Sequence, residues 1–266
     1  MEKADPNQLL RYLPAIDQEA DKSRTRPSSR NQANFYWIFR NIDFERWQCT
    51  TGSEVLWLSG PAERRISDAS SYIVDLVKEK PSRTQHLVLY FFCSTASAKV
   101  PIAATFVSTI IHQLASRMPQ LTGRVITVFL RTLLDTILRD ESLSDSGRPR
   151  FKANDSAEAT MKEIVKAPSS GYWGALREVL DTEREQELSL IIDGLDKVEH
   201  QKDNFIQELC AFVEHLRGRP STTRILLTSQ SQAGIKEILG RLPSIEYDKE
   251  RKGLISLICS QGEQGS

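Results

Sequence analysis

Two carboxylates three residues apart, Asp193 and Asp196, close an apolar run that begins at Glu187. Four of the five residues from Leu188 to Ile192 are aliphatic, so the run reads as a buried strand of a parallel sheet rather than an alternating, one-sided strand. Open α/β sheets bind ligands at the carboxyl ends of their strands, and an acid there can hold a magnesium ion directly or through a water. Asp193 is therefore the candidate metal ligand and Asp196 the candidate catalytic carboxylate. The same residues also read as a buried strand closed by an Asp-Gly turn, because turns favour these residue types for local reasons.

A metal-binding acid needs a phosphate-binding partner. A phosphate loop of the Walker A pattern, Gly, four residues, Gly, Lys and then Ser or Thr, follows a strand and opens a helix. The segment Gly60 to Ser67 has that place. It follows the strand Val55 to Ser59 and precedes a helix over Ser67 to Lys78, marked by Ile66, Ala69, Ile73, Leu76 and Val77. Gly60 and Ser67 match the pattern, and Ser67 is with Asp193 the candidate magnesium pair. Arg65 stands at the second glycine, where its side chain obstructs the approach of a phosphate to the backbone amides. Ile66 stands at the lysine and has no donor. Arg64 or Arg65 would have to bring the positive charge back, from positions whose geometry suits a phosphate poorly.

The remaining elements must hold these two strand ends together. Leu87 to Cys93 is a second buried strand, Thr223 to Ser229 a fourth and Ile245 to Tyr247 a possible fifth. Apolar stripes at helical spacing mark Ile102 to Arg117, Val125 to Leu138 and Phe205 to Leu216, and Trp173 to Glu183 and Ile235 to Leu239 are read as further helices. Residues 139–155 are polar and turn-rich and read as a surface loop. Alternation of strands and helices argues for an α/β fold with a mostly parallel, about five-stranded sheet covered by helices on both faces. Ahead of it, residues 1–34 have a solvated linker composition and are expected to form a loosely ordered arm. The aromatic cluster from Phe35 to Trp47 is too apolar to leave in water and is expected to be a short helical element packed on the domain.

Residues 35–248 resemble the nucleotide-binding domain of the NACHT class of STAND signalling NTPases, and in particular fungal NLR-like proteins with a nephrocystin-like N-terminal NACHT module. The resemblance rests on five segments in family order: Trp37 to Trp47, Val55 to Gly60, Leu87 to Cys93 with Phe106 to Leu114, Leu190 to Asp196, and Arg224 to Ser229. It implies a P-loop NTPase-like three-layer fold, with the strand before the phosphate loop beside the Arg224 to Ser229 strand and the Asp193 strand next. It implies ATP or GTP with magnesium as ligands, Thr228, Ser229 and Gln230 as the sensor, and a switch that works through protein partners or self-association. The departures fall on the chemistry. Besides Arg65 and Ile66, Lys197 takes the place where the family has a catalytic acid after Asp196, and Gln230 replaces the arginine after Thr-Ser.

Composition bounds the rest. In 266 residues, 35 basic side chains balance 35 acidic ones, which gives no whole-chain argument for nucleic acid or an anionic membrane surface. Cys49, Cys93, Cys210 and Cys259 are scattered and fit buried thiols in a reducing, cytoplasmic setting. His86, His112, His200 and His215 show no metal-ligand spacing. The expected function is a degenerate signalling or scaffold module with weak or absent nucleotide binding and little hydrolysis. The alternatives are an active NTPase switch that uses a displaced Arg or Lys, and a truncated fragment, to which the weakly patterned tail 249–266 would belong.

Overall fold

The computed structural model describes residues 6–28, 35–62, 65–79, 86–93, 100–139, 157–182, 186–198 and 202–247. The Arg64 site, the polar segment 140–155 and the tail 249–266 lie outside the described residues. In chain order the helices are α1 (Pro6–Leu10), α2 (Gln18–Thr25), α3 (Tyr36–Phe39), α4 (Ile42–Cys49), α5 (Ile66–Glu79), α6 (Ile102–Arg117), α7 (Thr122–Arg139), α8 (Ala157–Ile164), α9 (Ser169–Thr182), α10 (Lys202–Arg217) and α11 (Ala233–Leu239). The strands are β1 (Ser53–Gly60), β2 (His86–Phe92), β3 (Glu187–Asp193), β4 (Thr223–Gln230) and β5 (Ser244–Glu246). The chain divides into two compact units, one holding α1 and α6 to α10, the other all five strands with α2 to α5 and α11.

In the sheet unit the strand order is β2-β3-β4-β1-β5, and every pairing is parallel. This is the α/β class expected, and β1 lies beside β4 with β3 next, as the resemblance implied. The aliphatic runs explain it: every residue from Leu188 to Asp193 is buried, so side chains on both faces of β3 are out of water. Register decides what the carboxyl edge presents. Gly60 pairs with Gln230 and Phe92 with Asp193, so the ends of β1, β4, β2 and β3 arrive at one rim.

On one face of this sheet, Leu56, Leu58, Val88, Tyr90, Ile191 and Leu226 pack with Ile66, Ala69, Ile73 and Val77 of α5. These helix positions recur at three- and four-residue spacing, which lays one stripe of α5 along the strands. The aromatic lead-in completes the core as two short helices. Asn41 caps α4 by accepting from the Asp43 amide at 2.9 Å, and Trp47 donates its indole N–H to the Ile225 carbonyl at 3.0 Å. Not all of that cluster is buried: Tyr36 is 53% and Ile42 65% exposed.

The N-terminal arm, expected to be loosely ordered, contains α1 and α2. Lys22 pairs with Asp75 at 2.8 Å, its carbonyl accepts from Ser71 Oγ at 3.0 Å, and Lys78 reaches Glu19 at 3.1 Å. Polar composition reads as solvated in sequence, but here the polar groups find partners on α5.

The helical unit has its own aromatic centre. Phe106, Trp173 and Phe205 are in mutual ring contact, and Trp173 Nε1 and Ser169 Oγ both donate to Glu208 Oε2 at 2.7 Å. His112 Nε2 bonds the Leu10 carbonyl at 2.8 Å, and burial lowers its pKa. His112 and His215 thus serve packing and pairing, with His215 Nε2 3.2 Å from Asp181 Oδ1, while His200 lies outside the described residues.

Candidate functional site

The carboxyl rim of the sheet forms a cleft of about 220 Å³, lined chiefly by Arg65, Ser67, Asp68, Asp193, Lys197 and Gln230. Each side chain is delivered by the end of one element. β3 brings Asp193 to the rim, and Gly194 then turns the chain at φ 76°, a left-handed conformation that favours glycine, into a single 3-10 turn carrying Asp196 and Lys197. The N-terminus of α5 brings Ser67 and Asp68, and β4 brings Thr228, Ser229 and Gln230.

Asp193 is the centre of the site and is 1% exposed. Its Oδ1 accepts from Ser70 Oγ and Thr228 Oγ1, both at 2.6 Å. Thr228 also ties the turn, because the Gly194 amide donates to its hydroxyl at 3.2 Å and to its carbonyl at 3.1 Å. Asp193 Oδ2 accepts no hydrogen bond among the described residues; the Lys197 ammonium lies 3.7 Å away. That same ammonium donates to Ser67 Oγ at 2.7 Å. One lysine therefore bridges the two residues expected to share a magnesium ion.

The other members are also paired. Asp68 is buried and its Oδ2 lies 3.0 Å from Arg65 Nε. Burial pushes its pKa up and the nearby Asp193 charge adds to this, while Arg65 and Lys197 oppose it. Asp196 Oδ1 accepts from the backbone N–H of Gln230 at 2.8 Å, which binds the 3-10 turn to the end of β4. Ser229 Oγ accepts from Trp57 Nε1 at 3.0 Å. Burial also raises the Cys93 pKa well above the usual thiol value, with Asp193 contributing.

At the described positions of the candidate phosphate loop, the side chains differ from the Walker A pattern. Arg65 has φ 50°, the one positive value among described non-glycine residues, so the backbone bend that a glycine would favour is kept by an arginine. Ile66 is 7% exposed and packs in the sheet core. Gly60 is required by close approach, since a Cβ there would lie 2.8 Å from Tyr247 Cβ and 2.9 Å from Ile66 Cδ1.

The donor set tests whether magnesium and a nucleotide fit. Magnesium demands near-octahedral oxygen ligation at about 2.0–2.1 Å. Here an ammonium already stands between the two oxygens that would supply it, and the position of the phosphate lysine is an apolar core residue. As arranged, these residues do not fit the pair. Among the described residues no three His, Cys, Asp or Glu converge to hold a metal, and no helix is long and apolar enough to cross a membrane.

Residues 34–146 match the family model described as Nephrocystin 3, N-terminal. No curated protein matches the chain. The nephrocystin-like match spans the aromatic lead-in, β1, α5, β2, α6 and α7, which is less than half the chain. It includes Gly60 to Ser67 and stops before Asp193.

Of the residues singled out from sequence, Arg65, Ile66, Ser67, Asp193, Asp196, Thr228, Ser229 and Gln230 line this cleft together. Gly60 lies at the end of β1, and Arg64 is outside the described residues. Three members were missed: Ser70, Asp68 and the cationic role of Lys197. Ser70 carries a legible signal, since it sits one helical turn after Ser67 on the same face. Asp68 and Lys197 carry none, because their burial and reach depend on how the loops fold back.

Proposed function

We propose that the chain is a degenerate NACHT-type STAND module of the NLR-like kind. In this reading it serves as a signalling or scaffold element in the cytoplasm that binds nucleotide weakly or not at all and hydrolyses it little. It would act through protein partners or self-association rather than through nucleic acid or a membrane. The observation that carries this is Ile66, which stands at the phosphate-lysine position and is committed to the core. Phosphoryl transfer relies almost wholly on positioned charge, so a core side chain at that point removes transition-state stabilisation and not affinity alone. Isothermal titration with ATP and GTP, with and without magnesium, tests it: little or no heat is expected, and tight magnesium-dependent binding would refute it.

A second reading, an NTPase switch with a displaced cation, draws support from the Lys197 ammonium inside the cleft beside Ser67. Robust magnesium-dependent turnover that Asp193→Ala abolishes would favour it.

A further inference from the structure

The three carboxylates that line the cleft, Asp68, Asp193 and Asp196, each face a protein partner. Arg65 holds Asp68, the backbone N–H of Gln230 holds Asp196, and Lys197 faces Asp193. The last pairing is the unusual one. Asp193 Oδ2 is buried without a hydrogen bond, and a buried carboxylate oxygen of this kind is tolerable only beside a compensating charge. The Lys197 side chain is one-third exposed, 35%, yet its head turns inward, 2.7 Å from Ser67 Oγ and 3.7 Å from Asp193 Oδ2. Gly194 makes room for that turn. A Cβ on it would lie 3.0 Å from Lys197 Cδ and 3.3 Å from both Cε and Nζ, so the lysine stem lies against bare backbone.

We propose that Lys197 is the resident cation of this site: its ammonium occupies the position between the Ser67 hydroxyl and the Asp193 carboxylate that a divalent ion would need, and it excludes such ions. The inference rests on reading the cleft as the remnant of a phosphate-loop site. It goes beyond a weakened nucleotide site, because it assigns the loss of metal binding to one added charge rather than to missing ligands. Ser67 and Asp193 remain presented as oxygen donors. A like charge at this range must be expelled before a metal can enter, because two cations a few ångströms apart repel. Removing only the ammonium should therefore open a metal site.

Titration of the full chain with manganese(II) alone, following free Mn2+ by electron paramagnetic resonance, tests this with wild type, Lys197→Met, Asp193→Asn and the Lys197→Met/Asp193→Asn pair. Methionine keeps most of the stem and removes the charge. Lys197→Met should bind Mn2+ at a single site about tenfold or more tighter than wild type, and the added Asp193→Asn change should abolish the gain. The proposal is overturned if Lys197→Met, shown folded by circular dichroism, gains no site, or if wild type holds Mn2+ at a site that Asp193→Asn removes. Should Lys197→Met not fold, amine-reactive labelling of wild-type Lys197, read by mass spectrometry, decides the matter. Slow labelling unchanged by millimolar magnesium supports the resident ammonium, and labelling accelerated by magnesium overturns it. Nucleotide enters neither measurement, so failure here is distinguishable from failure of the signalling-module reading.

Discussion

The ammonium of Lys197 donates to the hydroxyl of Ser67 at 2.7 Å, joining the 3-10 turn after β3 to the first turn of α5. β3 itself also meets α5 through Asp193, whose Oδ1 accepts from Ser70 one turn along α5. The cleft is thereby cross-linked by its own side chains, which is the arrangement of a stabilised corner more than of an open ligand site.

The first expected outcome concerns turnover. Ile66, Lys197 and Gln230 each stand where a charged or acidic group of the machinery is expected, and loss of one positioned charge can reduce phosphoryl transfer by several powers of ten. Phosphate release from ATP or GTP should stay at background for wild type, and Asp193→Ala should leave it there. The same substitution should still lower the melting temperature, because Ser70 and Thr228 lose a buried acceptor, a loss of about 1–3 kcal/mol for each group left unsatisfied.

Simple repair of the phosphate loop should fail. Ile66 belongs to the core cluster that also holds Leu58, Ala69 and Tyr247, so Ile66→Lys places an ammonium beside Gly60, which Tyr247 also approaches closely. Urea unfolding should show a loss of several kcal/mol, roughly the scale of a large-to-small core change or more. A variant as stable as wild type would mean that the lysine escapes to the cleft, and calorimetry with ATP would then be the next measurement.

Much of this fold was legible because β1 to β4 are buried on both faces and so appear as continuous aliphatic runs, bounded by Gly60, Cys93, Asp193 and Gln230. Their parallel order followed from helices falling between them. What was not legible is side-chain partnership. Lys22 and Asp75 look like solvent-facing charges until α2 is laid on α5, and Lys197 looks like the loss of an acid until Gly194 lets it bend back to Ser67. The φ of Arg65 was hidden for the same reason: its sequence identity argues against a bend that the end of β1 and the start of α5 impose.

The lead-in aromatics should be stability determinants of the sheet unit. Trp47 is fully buried, lies tilted against the Phe44 ring with centroids 5.3 Å apart, and donates to the Ile225 carbonyl. Trp47→Ala should cost about 3–5 kcal/mol by chemical denaturation, and Trp47→Phe less, because only the outer ring and the N–H are lost. Ile42→Ala, on an exposed position of the same short helix, should change stability by no more than about 0.5 kcal/mol.

Acid should release α2. Burial raises the Glu19 pKa, but hydrogen bonds from Tyr90, Lys78 and Lys22 and the Lys78 charge pull it further the other way, from 4.5 to about 2. A carboxyl whose folded value lies below its unfolded one stabilises the fold above the unfolded value, and that stabilisation is lost as pH falls through the folded one. Wild type should therefore lose more stability than Glu19→Gln between pH 4.5 and about 2, and the two should converge below that range. Glu19 is 61% exposed, so the difference should shrink as salt is raised.

Gly194 couples the backbone to the lysine, and a double-mutant cycle can separate its two roles. Alanine there meets two independent costs: the left-handed φ of 76°, about 1–2 kcal/mol for a residue with a Cβ, and contact with the Lys197 stem at 3.0 Å. Only the second depends on Lys197. Gly194→Ala should push the ammonium away from Ser67, and much of that added cost should vanish when Lys197 is already alanine. The φ cost should remain in both backgrounds. Unfolding of wild type, Gly194→Ala, Lys197→Ala and the double variant should thus give a coupling of about 0.5 kcal/mol or more, within the range for residues in contact. Strict additivity would show that the lysine stem does not rest on the Gly194 backbone, and the close approach that seats the ammonium beside Ser67 would lose its structural cause.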